Sequence, residues 1–255
     1  MEVKKFHKEG LAAGEVIALI NLDVKGAFDA AFWPSILNRL RVCGCIKSLY
    51  NLSKSYFSQR TAILSSNNNR LQKSVSKGCP QGSCCEPGYW NLQYNSLLNL
   101  DFRAKTKAVA FADDLIQAIR GDSASVVENC SSGEMSKITA WVTQNRIRFN
   151  DEKTKVMLVT RRKRKEPRVI KVYLNKKILE QVTTMKYLCI IFDHKFTFKE
   201  HITYVAERCA KLIHSLSRSA KVTWGIKHEA MKTIYKGVIL PLLLYGAAVW
   251  IDAMQ

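Results

Sequence analysis

The feature that most limits this chain is Val109-Ala110-Phe111-Ala112-Asp113-Asp114-Leu115-Ile116, which sets two acids side by side between apolar runs. Lys107 to Phe111 reads as one strand and Leu115 to Ile119 as the next, so the acids fall in the tight turn of a hairpin. Asp suits turns because its short carboxylate accepts hydrogen bonds from nearby backbone N–H groups. A plain structural turn is therefore the simplest reading. Two features argue for more. The apolar flanks predict a largely buried hairpin that carries its carboxylates to a covered site. A third acid, Asp23, ends another apolar run, Val16-Ile17-Ala18-Leu19-Ile20-Asn21-Leu22. Carboxylates gathered at strand ends repel one another unless a cation joins them, and hard oxygen ligands of this kind suit Mg²⁺.

Charge balance indicates what such a site meets. Forty Lys and Arg against 21 Asp and Glu give a formal net charge of +19, which favours an anionic partner. Nucleic acid is the first candidate, through counterion release; an anionic membrane surface is a weaker one. A hydrophobic content of 47% excludes a disordered chain, and 255 residues suffice for one large domain or two modest ones. The eight cysteines form no paired C-x-x-C knuckles, and the five histidines complete no zinc pattern. Met1 to Gly14 lacks the apolar core of a signal peptide, so the cysteines read as reduced thiols, mostly core filler. The longest apolar run, the thirteen residues Val238 to Trp250, contains Pro241 and Gly246 and reads as too short for a membrane span.

In chain order, Met1 to Gly14 reads as a charged lead-in. After the strand at 16–22, Gly26 permits a tight turn. Pro34 opens a helix to about Val42 with Trp33, Ile36, Leu37 and Leu40 on one face, and a second helix spans Lys47 to Phe57. Arg60 to Leu64 and Arg70 to Val75 form a hairpin around a polar loop. A helix from about Pro87 to Leu100 presents Tyr89, Leu92, Asn95 and Ser96 as a lining face. Ser123 to Arg148 is helical, with Ser132-Gly133 as an interruption. Lys155 to Thr160 is a strand. Between residues 153 and 177 lie eleven Lys or Arg and one Glu, including the run Arg161-Arg162-Lys163-Arg164-Lys165. Val169 to Leu174 and Met185 to Phe192 read as a small antiparallel sheet. From about residue 199 the pattern is helical, with an amphipathic stretch His201 to Ser217 and a second, Glu229 to Leu244, kinked or bounded at Pro241.

Asp23, Asp113 and Asp114 together suit two Mg²⁺ ions roughly 4 Å apart, which clamp the attacking and leaving oxygens of a phosphoryl displacement. Five motifs in order sharpen this. They are Asn21-Leu22-Asp23-Val24-Lys25-Gly26-Ala27-Phe28-Asp29, Lys77-Gly78-Cys79-Pro80-Gln81-Gly82-Ser83, Ala110-Phe111-Ala112-Asp113-Asp114, Ile147 to Val156, and Met185-Lys186-Tyr187-Leu188-Cys189-Ile190. In this order they resemble the catalytic boxes of the reverse transcriptase domain of insect-type non-LTR retrotransposons. Ile239 to Gly246 is similar to the thumb-side region of that family. One box is weak support, while five across residues 20–192 are strong.

The resemblance implies an α+β fold. A polymerase palm with partial fingers would occupy residues 1–192, and a helical thumb-like region 193–255. It implies RNA-directed DNA polymerase activity on an RNA template, a DNA primer and deoxynucleoside triphosphates, with two Mg²⁺ ions or Mn²⁺ in their place. Asp23, Asp113 and Asp114 would carry the metals, helped by the Val24 carbonyl, with Asp114 the least direct ligand. Phe28 would sit under the sugar, where a ring clashes with a 2′-hydroxyl. Gln81 and Gly82 would lie beside the incoming nucleotide, and Lys153 or Lys155 would meet its phosphates. Lys186, Tyr187 and Leu188 would position the primer end. Arg161, Arg162, Lys163, Arg164 and Lys165 would contact the nucleic-acid backbone, with nuclear targeting as a competing use. Trp224 and Trp250 would stack on bases or pack the thumb.

Two residues depart from the family pattern: Cys189 stands where Gly is common, and Glu86 where a small residue is usual. The chain is expected to begin just before the first catalytic box and to end near the thumb-like region. Fingers would then be truncated, and the endonuclease and cysteine-rich segments absent. The rival expectation is a nucleic-acid-binding remnant without catalysis. A metal nuclease shares the carboxylates but leaves Phe28 and Gln81-Gly82 without a purpose. The expected location is intracellular, in the nucleus for element integration or in the cytoplasm, with no membrane partner.

Overall fold

The computed structural model describes residues 2–66, 69–79, 82–160, 168–219, 225 and 227–251. Helix α1 (Glu2–Ala12) leads into strand β1 (Val16–Asp23), followed by a short helix α2 (Ala27–Ala30), α3 (Trp33–Val42) and α4 (Lys47–Phe57). A hairpin of β2 (Thr61–Ser66) and β3 (Asn69–Ser74) follows, fully exposed on both strands. Then come α5 (Glu86–Leu98), the hairpin β4 (Thr106–Phe111) and β5 (Asp114–Gly121), α6 (Ala124–Asn145) and β6 (Lys155–Val159). Short strands β7 (Tyr173–Leu174), β8 (Lys177–Ile178) and β9 (Glu180–Gln181) lead to a hairpin of β10 (Thr184–Tyr187) and β11 (Ile190–Asp193). The remainder is helical: α7 (Lys199–Ser219), α8 (His228–Ile234), a π-helical turn Tyr235–Ile239, α9 (Leu240–Leu244) and α10 (Ala247–Trp250).

The main sheet runs β4-β5-β1-β6-β9, with β1 at its centre, antiparallel to both β5 and β6. A strand covered on both faces has no need to alternate polar and apolar residues, which explains the unbroken run in β1. Its even positions Val16, Ala18, Ile20 and Leu22 join the core that contains Trp90 and Leu97 of α5 and Ile138 and Trp141 of α6. Ile17 and Leu19 point the other way, to Phe6 and Leu11 of α1 and to Met185 and Tyr187 of β10. The result is a mixed α/β fold with one sheet between two layers.

Several expectations change. Met1 to Gly14 is not a lead-in: α1 buries Phe6, His7, Gly10 and Leu11 against the sheet. Arg120 lies 4.0 Å above the Phe6 ring and donates to the Phe6 carbonyl at 3.2 Å. Gly10 leaves room for this contact, since a Cβ there would come within 2.6 Å of the Arg120 side chain and force it to shift. The acidic hairpin is only half-buried, because β4 is the sheet edge and Phe111 is 65% exposed. α6 runs without a break through Gly133, in a helix of 22 residues capped by the Ser123 hydroxyl. Segment 169–192 divides into two hairpins, and β9 extends the main sheet in parallel with β6. All eight cysteines are free, but of these only Cys79 and Cys209 are buried, so most are not core filler. Finally, His228–Trp250 spans 23 residues and, by length and composition, is long and apolar enough to cross a membrane. The thirteen-residue run understated it because Met231, Ile234 and Tyr235 extend its apolar character.

Candidate active site

Strand register brings two of the expected acids together. Asp23 is paired with Asp114 across β1 and β5, and directly opposed residues share a sheet face. Ala112 and Asp113 form the two-residue turn between β4 and β5. Ala112 takes φ 53°, a conformation that a residue with a Cβ seldom adopts. α5 supports this turn: the Trp90 indole donates to the Ala112 carbonyl at 2.9 Å and the Tyr94 hydroxyl to the Asp113 carbonyl at 3.4 Å. The two rings stack, with centroids 5.0 Å apart.

Beyond Asp23 the chain is stitched to the segment before β6. Asn150 N–H donates to the Asp23 carbonyl at 2.7 Å, Lys25 N–H to the Arg148 carbonyl at 2.8 Å, and Val24 bridges Phe149. This stitching delivers Lys153, whose ammonium lies 3.7 Å from the Asp23 carboxylate. Gly26, at φ 57°, turns the chain into α2. Together these elements enclose a cleft of about 490 Å³ whose walls include Asp23, Val24, Phe28, Asp29, Asp113 and Lys153. The Phe28 ring packs against Trp90 at 5.6 Å, and its carbonyl accepts from Cys79 N–H at 2.9 Å. The second motif is thereby tied to the first.

Burial, and then the charges of Asp113 and Asp23, raise the Asp114 carboxyl above the usual range, while Lys153 acts in the opposite sense. Burial and then Asp114 push the Tyr187 hydroxyl up to about 12. This hydroxyl has no hydrogen-bond partner among the described residues. Among those residues no group of three or more His, Cys, Asp or Glu side chains converges into a metal-holding cluster. The acids therefore repel at a distance without forming a closed shell. The donor chemistry still fits Mg²⁺, which is commonly bound by one or two carboxylates and completed by substrate phosphates and water. Asp23 and Asp113 on one cleft supply such a pair.

The other expected residues distribute unevenly. Val24, Phe28 and Lys153 line the cleft, whereas Lys155 forms an ion pair with Glu180 beside β6. Gly82 N–H donates to a Glu86 carboxylate oxygen at 3.0 Å, so buried Glu86 holds the loop. Lys186 is exposed, with its ammonium 5.9 Å from the Tyr204 ring centroid. Tyr187 is buried, and the Leu188 carbonyl accepts from the Tyr245 hydroxyl at 3.1 Å. Leu188 and Cys189 both take positive φ, 45° and 63°, so the turn forms without the usual glycine. Trp250 is packed in the C-terminal core, donating to the Tyr245 carbonyl. Gln81, Trp224 and Arg161, Arg162, Lys163, Arg164 and Lys165 lie outside the described residues. Asp29 and Asn150, within the first and fourth motifs but with no expected role, also line the cleft, and Trp90 and Tyr94 support its turn from outside the motifs. Trp90 and Tyr94 had a signal in their i, i+4 spacing and in polar tips that need partners once buried.

Residues 6–192 match the family described as Reverse transcriptase (RNA-dependent DNA polymerase). The chain is 31% identical over 246 residues to the putative 115 kDa protein in type-1 retrotransposable element R1DM of Drosophila melanogaster, covering 96% of this chain and 24% of that protein. It is 29% identical over 237 residues to the retrovirus-related Pol polyprotein from type-1 retrotransposable element R1 of Bradysia coprophila, covering 92% and 23%. The chain thus spans about a quarter of the length of these curated relatives. In fold it is similar to the telomerase of Candida tropicalis solved in complex with a TWJ fragment of telomeric RNA. The TM-score is 0.50 at 12% identity, covering 99% of this chain and 42% of that one.

Proposed function

We propose, from the premise that this chain belongs to the reverse transcriptase family and resembles the Pol proteins of insect non-LTR retrotransposons, that its cleft extends a DNA primer by copying an RNA template. The observation that carries this is the meeting of Asp23, Asp113, Phe28 and Lys153 on one cleft. In this reading residues 1–192 form a palm with partial fingers, and 193–255 a helical thumb-like region. Asp23 and Asp113, with the Val24 carbonyl, hold divalent metal, and Asp114 tunes their charge from the neighbouring strand. Divalent metal held by these residues would supply Lewis-acid chemistry, lowering the pKa of the primer 3′-hydroxyl and offsetting charge on the leaving pyrophosphate. Phe28 excludes a 2′-hydroxyl by bulk. Lys153 exchanges its ion pair with Asp23 for the triphosphate. Gln81 and Gly82 approach the nucleotide, and Lys186, Tyr187 and Leu188 position the primer end. Arg161, Arg162, Lys163, Arg164 and Lys165 hold the nucleic-acid backbone. The site of action is intracellular, nuclear or cytoplasmic, without a membrane partner.

A second reading, a nucleic-acid-binding remnant, draws on the lack of a closed three-carboxylate cluster among the described residues. Titration of Mn²⁺ with a deoxynucleoside triphosphate separates the two. The polymerase reading expects the triphosphate to bind with the metal and both Asp23→Asn and Asp113→Asn to abolish binding. Retention of nucleic acid with no metal–triphosphate binding supports the remnant.

A further inference from the structure

We propose that Cys84 and Cys85 form a two-sulfur site for a soft, thiophilic electrophile, at the entrance to α5 beside the nucleotide-facing loop. Both thiols are free and exposed, and their sulfurs lie 3.8 Å apart. Cys85 is the N-cap of α5, and its N–H donates to the Ser83 hydroxyl at 3.4 Å, which fixes the backbone beneath the pair. Nothing in the polymerase chemistry uses these sulfurs.

Geometry decides what the pair accepts. Adjacent residues hold their Cα atoms about 3.8 Å apart across a trans peptide, below the range of roughly 4.4–6.8 Å that disulfides span. Direct oxidation to a disulfide is therefore strained, whereas one bridging atom closes the gap between the sulfurs. Thiolates select soft acceptors, so the ligand class is a trivalent arsenical or a comparable soft centre that takes two sulfurs. With phenylarsine oxide the step is a condensation. Two S–H bonds and the As–O bond break, two As–S bonds form, one water leaves, and arsenic stays trivalent.

The site touches the machinery next to it. Glu86, one residue on, is buried and holds Gly82 N–H through one carboxylate oxygen, while the other has no hydrogen-bond partner among the described residues. The same loop is tied back through Cys79 N–H to the carbonyl of Phe28, on the cleft wall. An occupant on the two sulfurs displaces the Gly82–Glu86 contact and loosens the cleft. This last step rests on the polymerase reading, whereas binding at the sulfurs does not.

Intact-mass measurement on the full chain, with phenylarsine oxide and excess 2-mercaptoethanol, tests the site. One arsenical should persist on the unaltered chain and on Cys43→Ser, which removes the exposed thiol of the separate Cys43-Gly44-Cys45 pair. It should be lost from both Cys84→Ser and Cys85→Ser, whose circular dichroism should match the parent. Retention by either of these variants, or stripping from the parent by the monothiol, overturns the proposal. For the coupling, arsenical-loaded protein should lose Mn²⁺–triphosphate binding, and unchanged binding overturns that step. If the unmodified chain binds no triphosphate, the polymerase reading fails while the mass result still decides the site.

Discussion

Asp23 and Asp114 sit directly opposite each other in the β1–β5 register, with Asp113 one residue away on the turn. Burial, then the neighbouring charges, hold the Asp114 carboxyl above its ordinary value. Its unfolded value is about 3.9. The native state therefore carries a cost that is fully present above the folded pKa and is relieved as pH falls through it. Asp114→Asn should raise Tm near pH 7, and the gain should vanish near pH 3, where the Asp114 carboxyl is neutral in the folded and unfolded states alike. Mg²⁺ should shrink the gain at neutral pH. Thermal unfolding across pH checks this, and a lower Tm for the variant at neutral pH contradicts it.

The prop beneath the turn gives a second prediction. Trp90→Phe removes the donor to the Ala112 carbonyl and should lower stability by at least about 1 kcal/mol. Trp141→Phe loses a comparable bond to the Ser96 hydroxyl, on α6 rather than at the turn. Only Trp90→Phe should reduce metal–triphosphate binding. Equal effects of the two would remove any special role for the α5 prop.

The β10–β11 turn carries strain that can be read directly. Leu188 and Cys189 both occupy the left-handed region, which costs a residue with a Cβ roughly 1–2 kcal/mol. Cys189→Gly should stabilise the fold by about 1 kcal/mol, since relief of strain outweighs the entropy that glycine loses on folding. Denaturant unfolding measures it, and no gain would mean the strain is absorbed elsewhere.

Acid should loosen the C-terminal helices in two stages. Burial lowers the pKa of His201, whose Nδ1 accepts from Ile191 N–H at 3.4 Å and whose ring meets Trp250 edge to face. Stability from a depressed histidine is complete above its unfolded value of about 6.5 and is lost as pH falls through the folded value. Burial alone would raise Asp193, but N–H groups of Thr197, Phe198 and Lys195 outweigh it and hold the carboxyl below its usual range. Its contribution is present above about 3.9 and lost below. Amide exchange in α7 should rise first near the histidine range and again in strong acid, and His201→Phe should remove the first stage.

How much of this was legible depended on whether the signal was local. Asp23 and Asp113 were readable because each ends or follows an apolar run, and a sheet centred on β1 needs such runs. The helices Trp33–Val42 and Lys47–Phe57 matched their expected bounds because each has one continuous apolar face. α1 was missed because His7 and Gly10 dilute its buried face, and the glycine is there to admit Arg120. Trp90 and Tyr94 were missed because α5 is packed on more than one side and has little amphipathic contrast to reveal an inner face. The separation of Lys153 from Lys155 was illegible because it depends on Asn150 being stitched to Asp23, a pairing between segments far apart in sequence. Glu86 looked like misplaced charge and is instead the buried acceptor that holds Gly82.

The central claim is that the Asp23–Asp113 cleft synthesises DNA on RNA. Primer extension on a homopolymer RNA template with Mg²⁺ tests it most directly, comparing this chain with its Asp113→Asn form. Removing a metal-holding carboxylate should cost at least ~10²-fold in rate, the scale seen when one preorganised electrostatic group is deleted from an active site. Extension by this chain and its loss with Asp113→Asn are the expected results. No extension, or extension that survives Asp113→Asn, contradicts the claim.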